Sequence, residues 1–142
     1  MKKKYVFKTS ALQRYRFPTH TNDLVLDRKD AATSEVFITV LGKGEAPPLH
    51  QHDDTEQIFY ILSGRGELQI GKAQQPFTVV PGDVVRIPPK TWHRIFSTSR
   101  TPMRYLVVDC FVGGRPKKEP TWDSHVKVVC KREGWEFGRV KR

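Results

Sequence analysis

His50-Gln51-His52-Asp53-Asp54-Thr55-Glu56 is the stretch that decides how the fold of this chain is interpreted. If the stretch is extended, His50, His52 and Glu56 share one face, because successive side chains of a strand point to opposite sides. A further histidine, His93, lies in a separate apolar and β-rich stretch. Three imidazoles and one carboxylate are donors that suit a first-row divalent metal ion. The sequence therefore predicts a small barrel folded around a metal site.

The sequence on either side of this stretch is typical of short strands separated by turns. Apolar or alternating runs recur at intervals of roughly ten residues, a spacing typical of β-sandwiches and barrels. Glycine and proline clusters such as Pro81-Gly82-Asp83 end these runs. The predicted strands lie at residues 36–41, 57–62, 67–70, 77–80, 84–87, 91–96 and 103–112. We therefore expect an all-β chain with no long helix.

The ends of the chain are expected to be extensions of one domain. We predict an N-terminal arm with short strands at residues 1–34, a barrel at 35–112 and a C-terminal extension at 113–142 that packs on the barrel. Short strands are expected at residues 5–7 and 24–26, and one further strand at 126–130. His20 stands among polar residues and is expected to be exposed.

Composition narrows the class of protein. The chain has 142 residues, of which 37% are hydrophobic, enough for one domain with a real core. No apolar run approaches the length of a membrane span, and the apolar stretch after the basic N-terminus is too short for a signal peptide. We therefore expect a cytoplasmic protein that binds no membrane, with Cys110 and Cys130 as free thiols rather than a disulfide.

The net charge of +10 collects near the ends of the chain. No nucleic-acid-binding motif accompanies it, so a solvated basic surface is favoured over a nucleic-acid partner. Attraction for an anionic substrate stays open.

The residues around the histidines resemble two motifs of the cupin superfamily. In the first motif a glycine, His-x-His, a glutamate and a second glycine follow in order. Gly44, His50, His52 and Glu56 match it, with Gly64 one place late. In the second motif, Gly82, Pro88 and His93 match, whereas Lys90 replaces a glycine and Ser97 an asparagine. Because a non-glycine residue resists positive φ, Lys90 leaves the shape of the turn before His93 open.

The resemblance implies a double-stranded β-helix, or jelly-roll, barrel. It implies that His50, His52, Glu56 and His93 hold one divalent ion, with Fe, Mn, Ni, Co, Cu and Zn as the alternatives. Positions left open in an octahedral site would accept water, dioxygen or substrate. The alternative is that these residues only hydrogen-bond inside the barrel. Cupins commonly pair, so a homodimer is expected, with Trp92 and Phe96 among the outward-facing residues.

Strand parity predicts which other side chains face the cavity. Tyr60 shares the parity of Glu56, so it is either a catalytic proton donor or orienting group, or a packed core residue.

Three functions fit these residues. The first is a metal-dependent oxidoreductase of the Fe(II) dioxygenase type that acts on a small organic molecule. The second is a non-redox isomerase, epimerase or lyase in which the ion is a Lewis acid. The third is a barrel that binds a small ligand without reaction. The fold does not decide among them, and the full ligand set favours the two enzymes.

Overall fold

The computed structural model describes residues 4–142 and consists mainly of strands. Lys2 and Lys3 of the basic N-terminus lie outside the described residues. The strands in the described part are, in chain order, β1 (Gln13–Arg16), β2 (Thr21–Leu26), β3 (Ser34–Leu41), β4 (Thr55–Ser63), β5 (Gly66–Ile70), β6 (Gln75–Val79), β7 (Val84–Ile87), β8 (His93–Ser97) and β9 (Met103–Phe111). Two helices follow, α1 (Trp122–Glu133) and α2 (Phe137–Val140), and one 3-10 turn (Arg28–Asp30) lies between β2 and β3.

The strands form two antiparallel sheets. One sheet has six strands in the order β1-β2-β3-β9-β4-β7, and the other has three in the order β6-β5-β8. In the larger sheet β9 lies between β3 and β4, pairing Val107 with Phe37 on one side and with Phe59 on the other. The predicted all-β jelly-roll fold in a single domain is confirmed.

The core lies between the sheets, and the long strands β4 and β9 bury alternate side chains towards it. In β4 the buried residues are Thr55, Gln57, Phe59 and Ile61, whereas the intervening side chains are partly or fully exposed. In β9 the buried set runs Met103, Tyr105, Val107, Asp109 and Phe111. This period of two is what one covered face and one solvated face require.

The C-terminal extension contains a helix where the sequence predicts a strand. Residues 126–130 lie inside α1, so that prediction is wrong. The helix begins with a capping box between Thr121 and Ser124, and ends at Gly134, which has a φ of 76°. The capping residues at both ends therefore favour a helix more strongly than the valines of the interior favour a strand.

Helix α1 packs against the barrel through one face. Trp122, Val126 and Cys130, which are spaced four residues apart, are buried. The Trp122 ring lies 4.7 Å from that of Phe37 and meets Tyr15 edge-on at 6.0 Å between centroids. The helix thus covers one opening of the barrel.

The N-terminal arm is less regular than predicted. Residues 5–7 form no strand, and the Tyr5 side chain is exposed. Residues 24–26 lie in β2, as expected. Cys110 and Cys130 are free thiols. Neither helix in residues 4–142 has the length and apolar character that crossing a membrane requires.

Candidate metal centre

His50 and His93 are joined through their backbones. The His93 amide donates to the carbonyl of His50 at 2.9 Å, and the His50 amide donates back at 3.2 Å. This isolated antiparallel bridge ties the loop between β3 and β4 to the start of β8. It holds two imidazoles side by side although the residues are distant in sequence.

The turn before His93 holds the third histidine in place. Lys90 adopts the positive φ, 59°, that was in question for a non-glycine residue. Its amide donates to the carbonyl of His52 at 2.6 Å. The turn therefore keeps the left-handed geometry with a lysine, and its backbone bond positions His52 beside the bridge.

The three imidazoles converge inside the barrel. Their nearest ligand atoms all lie within 4.8 Å of one another. The ring centroids of His50 and His93 are 4.3 Å apart, and that of His52 lies 4.8 Å from His50. The convergence that the sequence predicts for these three histidines is therefore present.

Hydrogen bonds orient two of the rings. Nδ1 of His50 donates to the carbonyl of Pro48 at 2.6 Å, and Nδ1 of His93 donates to that of Thr91 at 2.9 Å. A ring that donates from Nδ1 carries a lone pair on Nε2, which is the form that binds a metal.

Burial keeps the imidazoles neutral. Desolvation, with a smaller effect of the neighbouring His50, lowers the pKa of His52 to about 2 and that of His93 to about 4. Burial also lowers the pKa of His50. Since a metal ligand must be deprotonated, the cluster is ready for an ion at neutral pH.

Glu56 and Tyr60 lie on the outer face of β4, so the predicted orientation of both is wrong. The Glu56 carboxylate accepts a hydrogen bond from Nε of Arg86 at 2.8 Å, and Tyr60 is 45% exposed. The parity argument fails because residues 50–54 form a loop with a bend at Asp53 and Asp54, not a continuous strand. The structure does not bring either residue to the histidines.

Gln57, which the sequence analysis missed, is a polar residue of β4 that lines the cavity. It is buried, and its Nε2 donates to Oδ1 of Asp109 at 2.8 Å. Its Oε1 is buried without a hydrogen-bond partner in residues 4–142, as are Nε2 of His52 and Nε2 of His93. The sequence contained one signal for Gln57. The second glycine of the motif, Gly64, lies one place late when the spacing is counted from Glu56, but at the expected place when it is counted from Gln57.

A buried charge cluster lies behind Gln57. Arg28 makes two hydrogen bonds to the Glu35 carboxylate, at 2.7 and 2.9 Å. Burial and contact with Glu35 raise the pKa of Asp109 well above its usual range. Burial also opposes ionisation of Glu35, but hydrogen bonds from Asp109 and Arg28 outweigh it and lower the pKa of Glu35. Of the two carboxyl groups, Asp109 is therefore the one that keeps a proton more readily and Glu35 the one that ionises more readily.

The histidines open into a cavity of about 150 Å³ between the barrel and α1. Its wall is more apolar than polar, and includes the aromatic residues Phe17, Phe37, Phe59, Tyr105, Trp122 and Trp135. His20, expected to be exposed, is buried in this wall and stacks on Phe17 at 4.6 Å between ring centroids. His125 of α1 also lines the cavity, and its Nδ1 lies 2.8 Å from a carboxylate oxygen of Glu119.

The chain matches the family described as "Cupin domain" over residues 37–109, about half of its length. The match includes all three converging histidines and Gln57. This chain therefore belongs to the cupin family.

Curated relatives match parts of the chain. An uncharacterised protein of Methanocaldococcus jannaschii, MJ1618, is 40% identical over 63 residues, which are 44% of this chain and 49% of that protein. Quercetin 2,3-dioxygenase of Bacillus subtilis is 30% identical over 92 residues, which are 63% of this chain and 26% of that protein. The chain thus spans half or less of the length of these relatives.

Solved structures share the fold. A predicted oxalate decarboxylase of Thermotoga maritima superposes with a TM-score of 0.68 at 21% identity, over 75% of this chain and 99% of that one. KdgF from a Halomonas species superposes with a TM-score of 0.64 at 17% identity, over 75% and 94% of the two chains. At these identities the likeness describes the barrel and carries no activity with it.

The donor set fits a divalent transition metal. Imidazole nitrogen suits zinc, copper, iron and nickel, and the unpartnered Nε2 atoms of His52 and His93 lie where an ion would satisfy them. The cavity beside them leaves space for a second molecule, as a catalytic site requires and a closed structural site does not.

Proposed function

We propose that this chain is a metal-dependent cupin enzyme, an oxidoreductase of the dioxygenase type that acts on a small organic molecule. The observation that carries the proposal is the meeting of three neutral imidazoles in the wall of a cavity. The partial likeness to a quercetin 2,3-dioxygenase supports an oxidative reaction.

Different residues of the chain would bind the metal ion and the substrate. His50, His52 and His93 would hold the ion, and the aromatic wall would bind an apolar part of the substrate and exclude water. A bound divalent ion supplies Lewis acidity and, when it is iron, one-electron redox chemistry. Gln57 lines the same cavity as the histidines, and its side chain donates a hydrogen bond to Asp109.

One observation favours a second candidate, a non-redox isomerase or lyase. Asp109 lines the cavity, and burial and contact with Glu35 raise its pKa well above the usual range, so it keeps its proton more readily than an exposed aspartate does. A neutral carboxylic acid near bound substrate is a group that can donate a proton. Such a reaction would proceed without dioxygen.

The test begins with metal content. The protein is purified without oxygen, its metals are measured, and oxygen uptake is followed with a panel of diketones, catechols, thiols and small acids. We expect His52→Ala to lower metal occupancy at least about tenfold. The matched control is Glu56→Ala, four residues away on the outer face of the same segment, which should retain the metal.

The outcomes separate the candidates. Oxygen uptake that requires the metal supports the dioxygenase. Turnover that is unchanged in the absence of oxygen supports the isomerase or lyase. Equal metal occupancy in His52→Ala and Glu56→Ala would refute the assignment of the site.

A further inference from the structure

We propose that His125 of α1, oriented by Glu119, is the proton acceptor of the cavity and takes up the proton that a ring-sized phenol or enol loses when it binds at the three histidines. This inference rests on the proposed metal-binding function, and it adds an acid–base residue and a ligand class. His125 lies outside residues 37–109, the part of the chain that matches the cupin family, so the family match does not supply it.

Helix α1 forms one wall of the cavity that contains the three converging histidines. The residues of α1 that line the cavity fall on one face of the helix, and they are Trp122, His125, Val126, Val129, Arg132 and Glu133. His125 is not one of the three histidines whose ligand atoms converge. Its imidazole therefore borders the same space as the metal site without belonging to the ligand set.

A carboxylate fixes the orientation of the His125 ring. Nδ1 of His125 lies 2.8 Å from Oε1 of Glu119. The hydrogen bond with His125 is the largest of the causes that lower the pKa of Glu119, so this carboxylate is ionised at neutral pH and only accepts. The shared proton therefore belongs to Nδ1, and Nε2 of the neutral ring carries a lone pair. A carboxylate on one ring nitrogen prepares the other nitrogen to act as a base.

Both members of this pair are attached to ordered backbone. The carbonyl of Glu119 accepts a hydrogen bond from Nη1 of Arg28 at 2.9 Å, and Arg28 is buried in the barrel. The amide of His125 donates to the carbonyl of Thr121 at 3.1 Å within α1. The His125 ring also lies 5.6 Å from the Trp122 ring, between centroids. The imidazole is thus held between the barrel and the helix, as a group that exchanges protons at a fixed position requires.

The charge of His125 acts on the converging histidines. Burial is the main cause of the lowered pKa of His50 and of His52, and a positive charge on His125 is one of the smaller causes. The two parts of the cavity are therefore close enough for the charge of one to affect the other. A negative charge that forms on a ligand in the cavity stabilises a positive charge in both parts.

The other titratable groups that face the cavity are less suited to take up a proton. Burial is the main cause that lowers the pKa of His20 to about 3. Asp109 keeps its own proton more readily than an exposed aspartate, because burial and Glu35 raise its pKa. Arg132 is already a cation and pairs with Glu133 at 3.3 Å.

The proton step conserves charge within the cavity. A hydroxyl group bound to a divalent ion has a lowered pKa. Its O–H bond breaks, the electron pair stays on the ligand oxygen, and the proton forms an N–H bond at Nε2 of His125. The resulting imidazolium is paired with Glu119, and the His125 side chain is 26% exposed, so the proton can later pass to water. No oxidation or reduction takes place in this step.

The size of the cavity restricts the ligand. A volume of about 150 Å³ matches that in which an engineered protein cavity holds a benzene ring. The wall includes several aromatic side chains, which pack well against a flat ring. A ring-sized molecule whose hydroxyl group is ionised on binding therefore fits both the volume and the base.

The experiment counts the protons released when catechol binds the zinc-loaded full chain. Zinc has no redox chemistry, so catechol is not oxidised. Calorimetry at about pH 8, above the ordinary pKa of histidine, is repeated in two buffers of different ionisation enthalpy, which gives the number of protons released. His125→Gln removes the acceptor, and Glu119→Gln keeps the shape but removes the charge. Lys131→Gln, an exposed position on α1 outside the cavity, is the matched control.

We expect wild type and Lys131→Gln to release about one proton fewer per bound catechol than His125→Gln, because His125 retains that proton. Glu119→Gln should also release more protons than wild type, because the imidazolium loses its counter-charge. His125→Gln should bind catechol at least about tenfold more weakly than wild type. Metal-free wild type should bind no catechol. If His125→Gln does not fold, as judged by circular dichroism, or binds no catechol, the proton count of Glu119→Gln decides.

Distinct results overturn the inference at each level. Equal proton release in wild type and folded His125→Gln would exclude His125 as the acceptor, whereas a merely structural role predicts this equality. Equal release in wild type and Glu119→Gln would remove the role of Glu119. Zinc-loaded wild type that binds no catechol would overturn the ligand class. Failure of the folded wild type to bind any divalent metal would instead remove the proposed function itself.

Discussion

Replacing Arg28 by Met should destabilise the barrel strongly, because it leaves a buried carboxylate without its cation. The side chains of Arg28 and Glu35 are 3% and 0% exposed, and two hydrogen bonds join them. Arg28 also donates to the carbonyl of Glu119 at 2.9 Å and lies over the ring of Phe111. Removing one partner of a buried ion pair costs about 3–5 kcal/mol, and the loss of the bond to Glu119 acts in the same direction.

The assay is urea unfolding of the metal-free protein, followed by tryptophan fluorescence. Arg86→Met is the matched control, because it breaks the Arg86–Glu56 pair, whose side chains are 63% and 32% exposed. That exposed pair should contribute only about 0–1 kcal/mol. The double variant Arg28→Met with Glu35→Gln removes the stranded charge and should regain about half of the loss.

The loss should also depend on pH with a definite sign. In wild type the pKa of Glu35 is lowered, so its ionised form stabilises the fold above its ordinary pKa of about 4.5 and this contribution disappears as pH falls through the folded value. Without Arg28, Glu35 takes up a proton more readily. The difference between variant and wild type should therefore be largest above about pH 6 and shrink towards about pH 4. A loss below about 1 kcal/mol, or one that grows on acidification, would refute the reasoning.

Further predictions concern the histidines, the turn and the outer face. Burial lowers the pKa of His93 to about 4, so the unfolded chain binds more protons than the barrel below about pH 6.5, and the metal-free protein should lose about 2 kcal/mol at pH 5 through this histidine. Urea unfolding with a chelator, compared with His93→Gln, measures this loss, and an equal pH dependence in both proteins would contradict it. Lys90→Gly should stabilise the protein by about 0.5–1 kcal/mol, because glycine adopts the φ of 59° without strain and this gain exceeds its entropy cost. Calorimetry checks this, and a lower melting temperature would mean that the lysine side chain has a stabilising contact. Tyr60→Phe should leave metal content unchanged and stability within about 0.5 kcal/mol, since Tyr60 faces away from the site; a loss of metal measured by elemental analysis would oppose the placement.

The barrel was predictable because apolar and polar residues alternate along its strands. The alternation of buried and exposed residues in β4 and β9 is visible in the sequence, and turn residues such as Gly82 separate the runs. The three histidines were predictable because motif spacing places them, and their convergence depends on the backbone bridge between His50 and His93.

That Gln57 lines the cavity was not predictable by parity. A bend at Asp53 and Asp54 interrupts the extended backbone between His52 and β4. The alternation of side chains between two faces holds only along a continuous strand, so it does not relate His52 to the residues of β4. Only the burial of Phe59 and Ile61, once known, shows that the inward set includes Gln57 and not Glu56.

Helix α1 was missed because the prediction weighed its interior and not its ends. Val126, Val128 and Val129 favour a strand by intrinsic preference. The capping residues Thr121 and Gly134, together with the burial of Trp122, decide for a helix. Contacts with the barrel, which no local window contains, complete the choice.

The backbone bridge between His50 and His93 makes two main-chain protons into reporters of the site. Both amides bond across the seam where the loop meets β8, so any opening of the seam exposes them to deuterium. An ion held by the side chains of the same two residues would resist that opening. Exchange at these two positions should therefore slow on metal addition, and would reveal loading in a sample whose reaction has not been found.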